Sequence, residues 1–199
     1  MVADGMTSEV RGRVEALYTA PSKGEPMVSH EAVSVARGGI EGDRYFDGDG
    51  FYSATDGCQV TLVDAAVLDD AAREYGLDLA DGQHRRNVVV RGVDIDALLD
   101  ATFQLGGAEL RGTKLRPPCA YLADLVGDDD VGEALRESRG GICADVLSPG
   151  RVAVDDDLRV TEANPREMGR QLAERLRGER VEDGGEAAAN HGERGDDNE

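Results

Sequence analysis

Lysine is nearly missing from this 199-residue chain: Lys23 and Lys114 are the only two, and arginine makes up the rest of the 22 basic residues. Against them stand 41 acidic residues, for a formal net charge of −19. A field of that sign repels phosphate backbones and anionic membrane surfaces, so neither nucleic acid nor membrane is expected as a partner. Long apolar runs are missing too. Nothing approaches the roughly 20 residues that a membrane helix needs. The segment from Met1 to Gly12 has no apolar core behind a basic flank, which argues against a signal peptide. The expectation is a soluble cytoplasmic protein. Cysteine is sparse, at positions 58, 119 and 143, with no C-x-x-C pair and no histidine at ligand spacing. That argues against a structural zinc site. An odd count in a chain read as cytosolic also argues against a disulfide framework.

The acidic residues are spread along the chain rather than massed in one arm. Even spreading predicts a folded protein whose whole surface carries anions, as suits a halophilic interior where salt shortens the Debye length to about 3 Å. The length suits one domain.

Val10–Tyr18 alternates apolar and polar residues like a half-buried strand, and 27–36 alternates again after a loop broken by Pro21, Gly24 and Pro26. Residues 39–50 form a glycine-rich charged loop. Residues 58–64 read as a strand running into a helix over 64–76, with Asp64 as N-cap and Gly76 as C-cap. A buried strand at 87–90, a helical turn at 94–100 and a Gly-Gly hairpin over 102–115 follow. Val131–Arg139 reads as helical, and 142–150 and 151–161 as strands around a Ser-Pro-Gly turn. Many short strands and few small helices predict a mainly β (α+β) fold, a closed or nearly closed barrel with short peripheral helices. Expected boundaries are a flexible N-terminus over 1–9, the domain over 10–161, a short helical extension over 162–180 and a disordered acidic tail over 181–199.

Three clusters could carry chemistry. Cys58 and Cys143 sit in apolar strands, as inert buried thiols do, whereas Cys119 follows Pro117-Pro118 with Lys114 and Arg116 upstream. A rigid cationic loop favours the thiolate, so Cys119 is either a buried small hydrophobe or a reactive thiol. Gln83-His84-Arg85-Arg86-Asn87 places two arginines together; on a strand they would face opposite ways, so at most one enters a given pocket. They could hold phosphate or carboxylate, or pair with surface acids. His84 alone points to nothing. The third cluster, Gly39-Ile40-Glu41-Gly42-Asp43-Arg44-Tyr45, allows close backbone approach or an Asp43–Arg44 ion pair, and fits neither phosphate-loop nor dinucleotide fingerprints. The acid runs Asp128–Asp130 and Asp155–Asp157 read as solvated loop faces.

In order, GRVEALYTAPSKGEPM (12–27), GGIEGDRYF (38–46), QVTLVD (59–64), the RRN-led segment 85–113, PPC (117–119) and 139–160 resemble the MOSC domain, named after the C-terminal domain of molybdenum cofactor sulfurase. The resemblance covers about residues 10–161 and implies a MOSC-type β-barrel. It implies that Cys119 is the functional residue, either as a thiolate ligand to the molybdenum of a bound molybdenum cofactor (a Mo-pterin) or as a persulfide carrier. It places Asp43, Arg44, Arg85, Arg86 and Asn87 around the same pocket, with arginines on the cofactor's phosphate and pterin. Asp155-Asp156-Asp157 stands where the family often has a Gly-Asp pair. The chain lacks the pyridoxal-phosphate aminotransferase-like domain of larger members and has no lysine in a context suited to pyridoxal phosphate, so that cofactor is not expected.

Three readings follow. One is a molybdenum-dependent oxidoreductase that reduces a small N-hydroxylated substrate. It takes electrons from a separate flavin or iron–sulfur protein, since the chain has no cluster motif and no dinucleotide fingerprint. Another is a sulfur-transfer module loaded on Cys119 by a cysteine desulfurase. A third is a non-enzymatic small-molecule binding domain with an inert cysteine.

Overall fold

The computed structural model describes residues 11–46, 57–118 and 120–164. Cys119, the N-terminal segment 1–9, the expected helix at 166–180 and the expected tail at 181–199 all lie outside the described residues.

The first strand, β1 (Arg11–Thr19), buries Val14, Leu17 and Thr19. Its period of two slips by one residue because a bulge between Val14 and Ala16 shifts its register against a neighbour. Ten more strands follow: β2 (Val28–His30), β3 (Ala32–Ala36), β4 (Gly39–Ile40), β5 (Val60–Asp64), β6 (Val88–Arg91), β7 (Thr102–Leu105), β8 (Ala108–Leu115), β9 (Ile142–Ser148), β10 (Gly150–Ala153) and β11 (Asp157–Glu162). Seven of them close into a ring in the order β11, β7, β8, β9, β5, β6, β1, and β1 returns to β11 through Arg11 opposite Arg159 and Arg13 opposite Asp157. A closed ring removes free sheet edges, as the turn-rich sequence leads one to expect. β2 extends β1 outward, and β10, β3 and β4 make a separate small sheet.

Within the ring only β5 and β6 run parallel. A parallel neighbour cannot be reached by a tight turn, so the chain makes a long crossover between them. That crossover holds the helix α1 (Ala65–Asp70), which Asp64 caps by accepting the Ala66 N–H at 2.9 Å. The expected single helix over 64–76 instead widens into a π-helical turn over Ala71–Tyr75, closed by Gly76 at φ 70°. The barrel interior is filled by Val14, Leu17, Leu62, Val90, Phe103 and Leu158 among others, all 1% exposed or less.

Outside the barrel, Leu77, Leu79, Leu122, Val131 and Leu135 form a second apolar cluster. Leu122 belongs to α2 (Ala120–Val126) and Val131 to α3 (Val131–Ala134). The sequence reading left α2 out: its one fully buried residue, Leu122, leaves too faint a stripe to register as a helix. The helical reading of 131–139 splits into α3 and a 3₁₀ turn over Glu137–Gly140. In the acid run 155–157, Asp155 takes a left-handed backbone at φ 68° and Asp156 accepts the Ala153 N–H at 2.7 Å, so the turn forms without glycine.

The cysteine reading needs correction. Cys58 and Cys143 are buried, but as a disulfide, with Cα atoms 4.7 Å apart and 85 residues between them in sequence. Antiparallel pairing of β5 with β9 brings the segment holding Cys58, just before β5, alongside the strand that holds Cys143. That pairing joins strands separated by much of the chain, and spacing in sequence does not reveal it.

No helix among the described residues is long and apolar enough to cross a membrane.

Candidate functional site

The RRN segment sits at the entry to β6, where the crossover returns to the barrel. Its polar side chains point in different directions because Arg85 takes a left-handed backbone, at φ 59°. The two arginines therefore do not alternate on a strand as expected; they diverge from a turn.

Asn87 is 2% exposed and ties three segments together. Its Oδ1 accepts from the Thr61 N–H at 3.1 Å and the Thr61 hydroxyl at 2.8 Å, while its Nδ2 donates to Asp43 Oδ2 at 3.0 Å. Asp43, also 2% exposed, accepts the Ala20 N–H on Oδ2 and the Tyr45 N–H on Oδ1. No Asp43–Arg44 ion pair is found; the carboxylate is held instead by N–H donors of Ala20, Tyr45 and Asn87. Asp43 and Asn87 thus join the GDR loop, the end of β1 and the β5–β6 pair, and their charge and amide serve the architecture of the site.

Arg86 lies 2% exposed beneath them. Its Nε donates to Gly140 O at 2.8 Å, one terminal nitrogen to His84 O at 2.8 Å, and the other to Arg116 O at 3.0 Å. Arg116 directly precedes Pro117-Pro118-Cys119. The rigid fork of a guanidinium suits three carbonyls in fixed directions, and here it anchors the strand end from which the Cys119 loop departs. Gly141, at φ 90°, has no room for a side chain: a Cβ would meet Leu62 O at 2.0 Å. This close approach holds Gly140 O within reach of Arg86.

Arg85 turns the other way. One terminal nitrogen donates to Glu25 O at 2.6 Å, in the loop that follows β1. Its Nε and other terminal nitrogen are buried with no acceptor among the described residues, as is Nε of Arg44. Burial, and then the charge of Arg44, push the Arg85 guanidinium below its usual pKa. Tyr121 and Tyr45 lie close enough to act on it as well. Arg44 stacks over the Tyr45 ring at 4.9 Å and donates to its hydroxyl at 3.3 Å. The Tyr121 hydroxyl is also buried without a partner among the described residues, and Lys23 Nζ lies 5.7 Å from the centre of that ring. A cleft of about 180 Å³ opens beside Arg85, walled by Met27, Gln83, Leu125 and Val126.

Two guanidiniums set against each other, with buried N–H donors lacking acceptors, are costly unless an anion completes them. In a chain of net charge −19 such a cluster is conspicuous. Lys23 and Tyr121 are additions that the sequence reading missed. Lys23 is one of only two lysines, and Tyr121 stands two residues beyond Cys119; those were the available signals. Among the described residues, no three His, Cys, Asp or Glu side chains gather where they could hold a metal ion.

A barrel of this strand order, with a buried arginine on the Arg116 carbonyl ahead of Pro117-Pro118, defines the class, and the model of the MOSC domain family matches residues 49–159. The chain belongs to the MOSC domain family. The matched stretch includes Arg85, Arg86, Asn87 and Cys119, while Asp43 and Arg44 precede it. Among solved structures, the YuaD protein from Bacillus subtilis is similar at 22% identity and a TM-score of 0.64, over 76% of this chain and 96% of that one. YiiM from Escherichia coli is similar at 20% identity and a TM-score of 0.58, over 76% and 70%. YiiM from Geobacillus stearothermophilus is similar at 17% identity and a TM-score of 0.57, over 76% and 75%. At these identities the likeness concerns the fold. No curated protein matches the sequence.

Proposed function

We propose that this protein binds a molybdenum cofactor at the Arg44–Arg85 cluster and reduces small N-hydroxylated compounds with electrons from a separate flavin or iron–sulfur protein. One observation carries the reading: buried guanidinium N–H groups of Arg44 and Arg85 have no acceptor among the described residues. The anionic phosphate and the acceptor-rich pterin of such a cofactor are what those donors fit. When bound, the cofactor would supply a metal centre able to exchange oxygen and electrons with an N–O bond.

The protein's own residues have distinct parts. Arg85 and Arg44 bind the anionic end, with Lys23 adding positive charge and Tyr121 a hydroxyl donor. Cys119 is the thiolate ligand, soft sulfur suiting a thiophilic metal. Arg86, Asp43 and Asn87 are positioning residues: Arg86 fixes the carbonyl of Arg116 ahead of the cysteine loop, and the Asp43–Asn87 bond holds the loop that bears Arg44. We take the domain to span residues 10–161, beyond the 49–159 that the family model matches.

Elemental analysis of protein purified gently from a molybdate-fed host tests the proposal. Near-stoichiometric molybdenum with pterin is expected in the natural sequence, sharply reduced in Cys119→Ser and in the Arg44→Gln/Arg85→Gln double variant. A metal-free protein that instead gains one sulfur on Cys119 when incubated with a desulfurase and cysteine would overturn it in favour of sulfur transfer.

A further inference from the structure

A second cleft, of about 230 Å³, lies across the 78–86 turn from the arginine cluster. It opens between β1, α1 and that turn. Ala16, Ala65, Leu68, Leu79 and Val89 make its apolar walls. Gly82 lets the turn pass between the two clefts: at φ 79° its Cα lies so near Met27 and Tyr18 that a Cβ would meet Met27 Cβ at 2.6 Å.

His84 lines this cleft and is 1% exposed. Its Nδ1 accepts the Arg86 backbone N–H at 3.0 Å. A nitrogen that accepts carries a lone pair, so in the neutral ring the proton resides on Nε2. Burial, reinforced by Arg86 and Arg85, holds the ring neutral, with a pKa lowered to about 3. Tyr18 packs edge-on against the imidazole at 5.3 Å between centroids. Nε2–H finds no acceptor among the described residues. His84 lines the cleft, so an acceptor on a ligand bound there would complete that donor.

The mouth has the opposite chemistry. Glu15, Asp69, Asp78 and Asp81 surround it. Arg91 pairs with Glu15 and, at 2.9 Å, with Asp69. Asp78 and Asp81 have no cationic partner among the described residues. The Tyr18 hydroxyl senses this rim: after burial, the charges of Asp81 and Glu15 raise its pKa.

We propose that this cleft binds a small organic cation carrying a hydrogen-bond acceptor, with the acceptor on Nε2–H of His84 and the positive charge between Asp78 and Asp81. Apolar walls would take a flat or aliphatic body between those two ends. The site is independent of the cofactor reading, since it shares neither Arg44, Arg85 nor Cys119. It does adjoin Arg86, which is held by Nδ1 and the carbonyl oxygen of the same histidine.

Three probes of one shape separate the possibilities: 1-methylnicotinamide (a permanent cation with a carbonyl acceptor), nicotinamide (neutral) and nicotinate (anionic). The full chain is titrated at 1 M KCl, where screening to about 3 Å suppresses diffuse attraction to an acidic surface. The readout is the histidine ring ¹H–¹⁵N spectrum, with His84 assigned by its loss in His84→Gln. A saturable shift of the His84 Nε2–H signal is expected, with 1-methylnicotinamide binding at least tenfold more tightly than nicotinamide. In Asp78→Asn/Asp81→Asn that tenfold preference should vanish while the spectrum stays folded. Both positions are exposed, and asparagine tolerates the left-handed backbone of Asp81 at φ 49°. Equal or tighter binding of nicotinate, or no saturable shift with any probe, overturns the proposal.

Discussion

Asn87 Nδ2 donates to Asp43 Oδ2 at 3.0 Å, in a place where neither residue is more than 2% exposed. This one bond connects two loops 44 residues apart, and it determines where the Arg44 side chain starts. Replacing Asn87 by Asp sets two carboxylates against each other in the interior, where like charges cannot both ionise cheaply. Asn87→Asp should lower stability by about 2–4 kcal/mol at neutral pH, on the scale of a broken buried pair. The deficit relative to the natural protein should shrink on acidification, as one carboxyl takes up a proton. Urea unfolding at pH 7.5 and pH 5 checks both the size and the sign; a deficit that does not change with pH removes the electrostatic explanation.

Arg86 holds three carbonyls through fixed directions, and lysine cannot reproduce that fork. Arg86→Lys should therefore cost about 2–3 kcal/mol despite keeping the charge, because buried carbonyl groups lose their donors. Hydrogen exchange should loosen specifically around Arg116 and Gly140. Uniform loosening across the barrel would contradict a local anchoring role.

For Arg85 the expected direction is unusual. In buffer free of multivalent anions, Arg85→Gln should leave the protein as stable or raise its stability by about 0.5–1 kcal/mol, because it relieves repulsion with Arg44 at a site kept strained for binding. Added sulfate should raise the melting temperature of the natural protein and have a much smaller effect on the variant. Thermal scans across a sulfate series decide it, and a large loss of stability in the variant without sulfate would count against an anion site.

How much of this was legible in the sequence depends on whether the signal was local. Asp64 and Gly76 announced the ends of the crossover helix, and the Gly106-Gly107 hairpin stood out between β7 and β8. Both depend on neighbours a few residues away. Turn-rich short strands were enough for a barrel, whereas the order of its seven strands follows from pairings such as β5 with β9 that leave no local mark. The same non-locality hid the Cys58–Cys143 bridge. At the site, GDR and RRN were visible as clusters, but residue type alone could not tell Arg86, which supports, from Arg85, which faces a cleft. The left-handed backbone at Arg85 makes that difference, and an arginine there gives no hint of it in advance.

The disulfide closes a span of 85 residues, and on a loop-entropy model this removes about 4–5 kcal/mol of freedom from the unfolded chain. Cys58→Ser/Cys143→Ser should shift the denaturation midpoint by an amount up to that value. Strong thiol reductant should move the natural protein toward the variant and leave the variant unmoved. Coincident curves under all conditions would mean that the bridge does not form in solution.

His84 should give the protein an acid limb. Its neutral form is favoured by the fold, with a pKa of about 3 against about 6.5 when unfolded, so its contribution is intact above pH 6.5 and falls away between 6.5 and 3. At roughly 1.36 kcal/mol per unit the full loss is on the order of 4–5 kcal/mol. Denaturant midpoints from pH 7 to 4 should fall more steeply in the natural protein than in His84→Gln; parallel curves would show that the ring does not stay neutral.

Closure of the ring through β1 and β11 also bears on biosynthesis. Arg11–Arg13 must wait for Asp157–Arg159, so early in translation the growing sheet carries two open borders with no partner yet made. Every strand of the barrel must be made before the cylinder can seal, and until then dense negative charge helps to keep those unpaired borders apart from other copies of the chain.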